Sequence, residues 1–361
     1  MAKIRVGIIG TGFGASVHAP IFALHEGFEV KSVASVHRGI TDMTERGLAA
    51  VKLYPDWRQM LEQENLDLVT IASAPDRHCE MALAALQQGV NILCEKPLGL
   101  SADQTKSMLQ GLNQSGMQGF VNFQWRLTPV RQRIKELLSQ KAVGEIQHIK
   151  YQGSFSGYQS LVFAPRGWEA RRSSGGGMLY AIGSHMIDSL MWWMEERITT
   201  VYAELNTHVP RYEGNNATEI RDADDAFSAL GRFESGVSFA MELFYPAVQG
   251  NGWSMEIFGT RGTLHMKNDR EIWISTGGDY REVSVPTCHL PKSLSSPANL
   301  YYNGLSQMAQ GIYHALTRAK TDTSGQRDVP TFLEGHQVQL VMDAMLLSSA
   351  EGRRVSIDYS L

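Results

Sequence analysis

The chain has 361 residues and a formal net charge of -4 at pH 7, and 43% of its residues are hydrophobic. This length exceeds one ordinary hydrophobic core, so we expect two domains. The charge gives no general attraction to nucleic acid or to an anionic membrane surface, and no apolar run approaches the roughly 20 residues that cross a bilayer. We therefore expect neither nucleic acid nor a membrane as a partner.

Two further exclusions concern targeting and metals. The first predicted strand begins within about three residues of Met1, which leaves no room for a signal peptide and favours a cytoplasmic protein. The cysteines are Cys79, Cys94 and Cys288. Because they show no metal-ligand spacing, we predict ordinary thiols in a reducing compartment and no metal site.

Residues 3–20 carry an apolar run that leads into a glycine cluster and then into helix-forming residues. Val6, Ile8 and Ile9 predict the central strand of a parallel sheet, buried on both faces. The pattern G-x-G-x-x-G/A follows at Gly10, Gly12 and Ala15. In this pattern the first glycine turns the chain, the second lets the backbone approach a pyrophosphate, and the third position packs a helix against the sheet. We therefore predict a dinucleotide-binding turn formed by Gly10, Thr11, Gly12, Phe13, Gly14 and Ala15.

The end of the second predicted strand, 29–36, decides which nicotinamide cofactor fits. NAD sites place an acidic residue here to hold the ribose 2′-hydroxyl, whereas a 2′-phosphate needs that acid absent and a cation nearby. No acid follows the strand until Asp42. Arg38 would attract the phosphate and Ser35 or His37 would donate to it, so we predict NADP in preference to NAD. An ordinary solvated loop is the alternative.

The rest of the first third alternates helices and strands. Helices are predicted at 57–63, at 76–88 and after a capping box at 101–104, and strands at 66–72, 90–94 and 119–123. Because the carboxyl ends of parallel strands line the ligand crevice, we expect the cofactor to contact the residues at these ends. These residues are Ala72, Ser73 and Pro75, and then Glu95, Lys96 and Pro97. The alternation predicts a Rossmann domain with a doubly wound parallel sheet over residues 1–123.

Residues 124–361 contain more predicted strands than helices. β-prone runs occur at 145–155, 200–208, 226–233, 237–244, 253–258 and 262–267. Helices are predicted at 180–194 and 331–351, and the segments 210–225 and 286–297 are predicted as loops. Strands without regular intervening helices indicate an α+β domain with an open, mostly antiparallel sheet. Since these helices cannot cover so many strands, we expect a homodimer or homotetramer that pairs through the sheet.

Several motifs in order along the chain resemble one known family. They are the N-terminal glycine fingerprint, His78 at a helix start, ILCEKPLGLS at 92–101, NFQWRLTP at 122–129, Gly144-Glu-Ile146, the glycines 175–177, Gly183-Ser-His185, IFGTRGTL at 257–264 and SAEGRRV at 349–355. Over essentially its whole length the chain resembles the glucose-fructose oxidoreductase, inositol dehydrogenase and rhizopine catabolism (Gfo/Idh/MocA) family. The resemblance implies a nicotinamide-dependent oxidoreductase in which one face of the second sheet covers the active site. We add His78 and Asn122, which lie in these motifs, to the expected cofactor contacts.

Hydride exchange at an alcohol carbon requires one group that polarises the oxygen and another that carries the hydroxyl proton. Lys96 follows a strand end where the nicotinamide is expected, and the resemblance implies that this lysine is catalytic. Histidine is the side chain that ordinarily exchanges a proton near neutral pH, so His185 suits the proton transfer. Pro97 would allow a cis peptide that aims the Lys96 side chain.

One position departs from the family pattern. Sugar and polyol dehydrogenases of this family often read D-x-G-x-H, and the aspartate position here is Ala181. Tyr180 and Asp188 are candidate substitutes, with a structural role as the alternative for each. The side chains expected to reach a substrate are Arg126, Trp168, Arg171, Tyr180 and His185. The arginines would suit a carboxylate or phosphate on the substrate, and bracing between domains is their alternative role.

These observations predict an NAD(P)-dependent dehydrogenase or reductase that acts on a hydroxyl or carbonyl group of a small molecule, namely a sugar, a polyol or a related metabolite. Two alternatives stay open. One is a reductase of a non-sugar substrate, similar to the biliverdin reductase and dihydrodiol dehydrogenase branches, and the other is a non-catalytic NAD(P)-sensing regulator. His18, in the first turns of the fingerprint helix, either contacts a phosphate or packs the helix.

Overall fold

The computed structural model describes residues 3–36, 51–214, 218–317 and 329–360. The chain divides into two compact units, Met1–Leu127 with Cys288–His336 and Thr128–Thr287 with Gln337–Leu361. We predicted one boundary, between residues 123 and 124. The structure has a first crossing four residues later, and the segment 288–336 returns to the N-terminal unit.

The N-terminal unit is built on a parallel sheet with six strands among the described residues. They are β1 (Ile4–Ile9), β2 (Phe28–Ala34), β3 (Lys52–Tyr54), β4 (Leu68–Ile71), β5 (Asn91–Cys94) and β6 (Gly119–Val121), in the spatial order β3-β2-β1-β4-β5-β6. Val6, Ile8 and Ile9 of the central β1 are fully buried, as a strand covered on both faces requires. The strand order reverses between β1 and β4, so the predicted doubly wound fold is confirmed.

The helices between these strands are α1 (Ala19–Ala23), α2 (Trp57–Gln63), α3 (His78–Gln87) and α4 (Ala102–Ser115). Asp56 caps α2 by accepting a hydrogen bond of 2.7 Å from the Arg58 amide. Ser101 caps α4 in the predicted manner, because its hydroxyl oxygen accepts the Gln104 amide at 3.3 Å. These caps fix where each helix starts and therefore where each preceding loop ends.

The C-terminal unit contains a sheet with nine strands in the part of the chain that is described. The strands of this unit are β7 (Ile146–Ser154), β8 (Ile198–Asn206), β9 (Arg211–Glu213), β10 (Thr218–Ile220), β11 (Ala226–Phe233), β12 (Ser238–Phe244), β13 (Gly252–Gly259), β14 (Thr263–Lys267), β15 (Glu271–Ser275), β16 (Arg281–Val283) and β17 (Val355–Ser356). The spatial order is β16-β15-β14-β13-β7-β12-β11-β8-β17. The strand β7 runs parallel to β12 and antiparallel to β13. The predicted open, mostly antiparallel sheet is confirmed.

β9 and β10 form a separate antiparallel hairpin, with Glu213 opposite Thr218. The prediction of a loop over residues 210–225 was therefore wrong. The β-prone Tyr212, Thr218 and Ile220 offset the polarity of this stretch, and β-prone residues favour pairing where two short segments meet. The strands β15 and β16 extend the main sheet beyond the six that we predicted.

The other helices are α5 (Pro129–Ser139), α6 (Tyr158–Phe163), α7 (Ser184–Met194), α8 (Ala298–Thr317) and α9 (Phe332–Glu351). Leu305, Met308 and Ile312 of α8 are fully buried in one cluster with Ile21 and Phe22 of α1. These α8 residues recur at helical spacing, a signal that would have predicted the helix. Residues 288–336 belong to the N-terminal unit because α8 covers this apolar face of α1.

Candidate active site

Two glycines shape the fingerprint turn after β1. Gly10 has φ of +124°, and a Cβ at this position would lie 2.3 Å from the Ala72 carbonyl oxygen. Only glycine fits there, because both the conformation and the space exclude a side chain. Gly12 is exposed, and apart from its two neighbours in the chain no described residue has an atom within 4 Å of the point that its Cβ would occupy. The turn therefore leaves space at Gly12 that a pyrophosphate can fill.

The helix after the turn begins with a π-helical turn, Gly14–His18, and continues as α1. The Ala15 amide donates to the Gly10 carbonyl, five residues back, at 3.0 Å. A Cβ at Gly14 would lie 2.9 Å from Cγ2 of Ile8. Gly14 thus shares the close packing that the fingerprint pattern assigns to Ala15, which is itself fully buried.

β2 leads to the residues predicted to select the cofactor. Ser35 is buried, and its amide donates to the Tyr54 carbonyl oxygen at 3.0 Å. His37 and Arg38 lie outside the described residues. The preference for NADP therefore stays a prediction from the sequence.

His78 joins the two loops that follow β4 and β5. Its Nδ1 lies 2.9 Å from the Pro97 carbonyl oxygen, and its Nε2 lies 3.2 Å from that of Ser73. The ring is fully buried, and burial lowers the pKa of His78. Because a neutral imidazole has one N–H, His78 donates to one of these two carbonyls and packs against the other, between the two loops. Ala72, Ser73 and Pro75 form the β4 side of the crevice edge.

Glu95 follows β5 and is the centre of a buried polar cluster. Its Oε1 accepts from Asn122 Nδ2 at 2.5 Å and lies 2.9 Å from His18 Nε2, and its Oε2 accepts the Lys96 amide at 3.3 Å. Burial alone would raise the pKa of Glu95, but the hydrogen bond from His18, the nearby charges of His18 and Lys96 and the hydrogen bond from Asn122 outweigh it. The net result is a pKa below the usual value. The cluster therefore holds an ionised carboxylate next to Lys96.

Lys96 itself is partly buried, and the Lys96–Pro97 peptide is cis. Two buried atoms of the Glu95 cluster, His18 Nδ1 and Asn122 Oδ1, have no hydrogen-bond partner among the described residues. A buried polar atom without a partner costs about 1–3 kcal/mol. Together with the space at Gly12, these atoms fit a dinucleotide that brings its own donors and acceptors.

In the C-terminal unit, His185 lies in the first turn of α7, directly after a second π-helical turn, Leu179–Gly183. His185 is 2% exposed, so its ring is buried. Ser189, one turn later, donates its hydroxyl to the His185 carbonyl oxygen at 2.7 Å. Arg131 Nη1 in turn donates to Ser189 Oγ at 2.6 Å. Side chains from α5 and α7 thus fix the backbone that carries His185.

Arg131 is a buried cation that sequence reasoning missed. It forms a two-pronged ion pair with Asp269, with Nε–Oδ1 and Nη2–Oδ2 distances of 3.0 and 2.9 Å, and donates to the Tyr151 hydroxyl at 2.6 Å. Burial opposes the charge, but Asp269 and Tyr151 keep the pKa of Arg131 above its usual value. No local motif marks this network, because Arg131 and Asp269 are 138 residues apart.

Tyr180 lies in the π-helical turn, beside Ala181. In such a turn the backbone bond joins residues five apart, as between the Leu179 carbonyl and the Ser184 amide. Tyr180 and His185 have this same spacing, so they lie about one turn apart. Burial raises the pKa of Tyr180 to about 12, and nearby Asp343 adds to the effect, so the phenol stays protonated at neutral pH and can donate a hydrogen bond.

The glycines at 175–177 let the backbone pass close to other groups. Gly177 has φ of +106°, and a Cβ there would lie 2.3 Å from Oδ1 of Asp224. Asp224 Oδ2 accepts the Leu179 amide at 2.8 Å, at the start of the π-helical turn. Burial raises the pKa of Asp224 to about 6. In the sequence, the role of Asp224 was indicated only by the acid-rich stretch 222–225, and such a stretch is equally typical of a polar loop.

The remaining predicted residues have different surroundings in their own units. In the N-terminal unit, Arg126 is buried, and its Nη1 lies 3.6 Å from Oε1 of Glu334. In the C-terminal unit, Trp168 is 41% exposed and Arg171 is exposed. Asp188 is fully buried on α7. The structure thus groups the fingerprint turn, Glu95 and Asn122 in one unit, and Tyr180 and His185 in the other.

Two absences apply to the described ranges. No group of three or more His, Cys, Asp or Glu side chains there is arranged to hold a metal ion. Within the same ranges, no helix combines the length and the apolar character that a membrane crossing needs.

A parallel sheet with an open glycine turn, joined to an antiparallel sheet domain, defines the class of two-domain nicotinamide-dependent oxidoreductases. Residues 4–123 match the model described as an oxidoreductase family with an NAD-binding Rossmann fold, and residues 131–265 match the GFO/IDH/MocA C-terminal domain. The chain belongs to the GFO/IDH/MocA oxidoreductase family.

Similar proteins of known name include dehydrogenases. Levoglucosan dehydrogenase of Pseudarthrobacter phenanthrenivorans is 25% identical over 99% of this chain and 99% of its own. Myo-inositol 2-dehydrogenase of Thermotoga maritima is 25% identical over 75% of this chain and 77% of its own. A solved structure of levoglucosan dehydrogenase in complex with NADH and L-sorbose has a TM-score of 0.84 at 23% identity, over 99% of this chain and 100% of that chain. The last likeness concerns the fold.

Proposed function

We propose that this protein is an NAD(P)-dependent dehydrogenase that exchanges a hydride with a ring or chain hydroxyl carbon of a sugar, a polyol or a related metabolite. The bound dinucleotide would supply or accept the hydride at its nicotinamide. Lys96 would donate a hydrogen bond to the reacting oxygen, and His185 would take or return the hydroxyl proton. In oxidation, the proton leaves the hydroxyl for His185 while the hydride leaves the same carbon, so a carbonyl forms.

One observation carries this proposal: the fingerprint turn and Lys96 both follow strands of the same sheet. The turn leaves space at Gly12, and Lys96 lies next to an ionised buried carboxylate. In a doubly wound sheet, ligands bind at the carboxyl ends of the strands. The residues proposed to hold the dinucleotide are Gly10, Thr11, Gly12, Phe13, Gly14, Ala15, Ser35, His37, Arg38, Ala72, Ser73, Pro75, His78, Glu95, Lys96, Pro97 and Asn122. A charged ammonium at Lys96 is favoured by the Glu95 carboxylate, and this charge suits an oxygen that becomes more negative.

The substrate class is proposed from the names of the relatives and from the chemistry of Tyr180. The relatives are named for levoglucosan and myo-inositol, which are both cyclic polyhydroxy compounds. The protonated phenol of Tyr180 is a donor for a substrate hydroxyl and would take the place of a carboxylate at Ala181. Arg126, Trp168 and Arg171 are proposed as further substrate contacts; Trp168 and Arg171 are exposed, and Arg126 lies beside Glu334.

NADP preference, a cytoplasmic location and self-association complete the proposal. The sequence Ser35 to Arg38 supports NADP, as no acid is present to repel a 2′-phosphate. Self-association through the nine-stranded sheet is supported by Tyr202 and Leu230, which are paired across β8 and β11 and are 41% and 57% exposed. Adjacent exposed apolar side chains on a sheet face are suited to a second subunit.

The test is reduced-nicotinamide absorbance with NAD and with NADP across sugars, cyclitols, sugar acids and anhydrosugars. We expect turnover with at least one ring polyol. Lys96→Met and His185→Ala should lower kcat by about 10²- to 10⁴-fold, the usual worth of a positioned acid–base group. Lys141→Met is the matched control, since Lys141 forms an exposed surface pair with Glu145 and should keep wild-type turnover. Equal turnover in Lys96→Met would refute the assignment.

A further inference from the structure

His18 links the fingerprint turn to the segment that carries Lys96. It is the last residue of the π-helical turn after the fingerprint, and its Nε2 lies 2.9 Å from Glu95 Oε1, a residue 77 positions away. The fingerprint turn and the Lys96 segment therefore meet at one polar contact. This contact adds a partner to the two roles that the sequence suggests for His18, contact with a phosphate and packing of the helix.

The His18 ring is held on several sides. It is fully buried, with the Phe13 ring edge-on at a centroid distance of 5.5 Å and the Phe22 ring at 6.3 Å. Phe13 in turn packs edge-on against Tyr301 of α8 at 4.9 Å. With aromatic rings on both flanks, the imidazole has little freedom to leave Glu95.

Hydrogen bonds of the Glu95 carboxylate connect His18 to Lys96. Oε1 takes its hydrogen bonds from His18 and Asn122, which leaves Oε2 to accept the Lys96 amide at 3.3 Å. The orientation of the carboxyl group thus decides whether the Lys96 amide keeps this hydrogen bond. A misplacement of a reacting group by about 1 Å can cost 10²-fold in rate.

We propose that His18 is a positioning residue: by holding the Glu95 carboxylate from the fingerprint helix, it fixes the backbone of Lys96 and the direction in which the lysine side chain starts. The inference rests on the proposed role of Lys96. It adds a residue that acts through Glu95 and touches neither substrate nor the reacting oxygen.

The test compares His18→Leu, which removes the donor, with His18→Gln, whose amide nitrogen lies at about the same reach as Nε2. We expect His18→Leu to lower kcat by about 10- to 100-fold and His18→Gln to stay within about 3-fold of wild type. The Kd of the dinucleotide, measured by titration of protein fluorescence, should agree within about 3-fold between the two variants, because both lose Nδ1, the His18 atom that would face the dinucleotide. His25→Leu is the control, since His25 Nε2 lies 3.2 Å from Gln310 Oε1 in the same unit but away from Glu95.

A double-mutant cycle with Glu95→Ala, which removes the acceptor, separates positioning from general stability. If His18 acts through Glu95, His18→Leu should change kcat by less than about 2-fold in the Glu95→Ala background. Independent effects on kcat, equal losses in Leu and Gln variants, or full activity of His18→Leu would each overturn the inference. If His18→Leu does not fold, His18→Asn replaces it, because its shorter amide cannot reach Glu95. Turnover that survives Lys96→Met would instead refute the proposed function, so the two failures are distinguishable.

Discussion

At the residue scale, the proposed preference for NADP rests on Arg38, a residue that the sequence places after the second strand. We expect Arg38→Asp to weaken NADP binding by about 1.5–3 kcal/mol, the worth of a hydrogen bond to a charged group. A carboxylate at this position also accepts the ribose 2′-hydroxyl of NAD, so NAD affinity should hold or improve. Titrations of wild type and variant with both dinucleotides measure the two changes. Unchanged NADP affinity in Arg38→Asp would remove the argument for the preference.

Residues whose role is set by their near neighbours in sequence were open to prediction, and residues paired over long distances were not. Gly10 and Gly12 follow a local pattern, and the structure gives them the strained turn and the open space that the pattern requires. The contact between His18 and Glu95 depends on two segments 77 residues apart. The sequence marks His18 as unusual, but only the fold shows that its partner is a carboxylate.

At the element scale, the helix that carries His185 starts with a π-helical turn, which periodicity could not predict. The sequence at 180–194 has an ordinary helical pattern, and the structure divides it into Leu179–Gly183 and α7. The extra residue per turn is accommodated by side chains: Ser184 Oγ donates to the Tyr180 carbonyl at 2.7 Å, and Asp224 accepts the Leu179 amide. These partners come from packing, so a single-sequence pattern contains little trace of them.

Asp224 gives this helix start a measurable pH dependence. Its pKa is raised from 3.8 to about 6, so between these values the folded protein binds a proton that the unfolded chain has lost. The contribution of Asp224 to stability therefore falls as pH rises through this window, by on the order of 3 kcal/mol for two pKa units. We expect Asp224→Asn, which cannot ionise, to gain stability relative to wild type by that amount between pH 4 and pH 7.

Urea unfolding of both proteins at several pH values, followed by tryptophan fluorescence, measures the difference. The exposed Asp222→Asn is the control for loss of a nearby acidic side chain. A difference between wild type and Asp224→Asn that does not change with pH would show that the carboxyl group is not destabilised by burial in the folded state.

At the scale of the whole molecule, the two kinds of sheet were predictable, but the path of the chain between the units was not. The strands β7, β8, β11, β12, β13 and β14 agree with the predicted segments to within about two residues, because alternation of apolar and polar residues is a local signal. The return of residues 288–336 to the N-terminal unit depends on which apolar face α8 covers. Amphipathic spacing predicts that a helix buries one face, but the surface that this face packs against is set by the tertiary structure.

This return predicts that residues 1–127 cannot form a stable unit alone. Leu305, Met308 and Ile312 of α8 are fully buried, and each contributes about 1.5–3 kcal/mol, a sum comparable to the net stability of about 5–15 kcal/mol for a whole domain. We expect the fragment 1–127 to bind the dye ANS and to lack a cooperative thermal transition. Joining 288–336 to it through a flexible linker should restore the transition, and the same fusion with Leu305→Gln and Ile312→Gln should not. Cooperative unfolding of 1–127 without dye binding would show that α8 is dispensable for this unit.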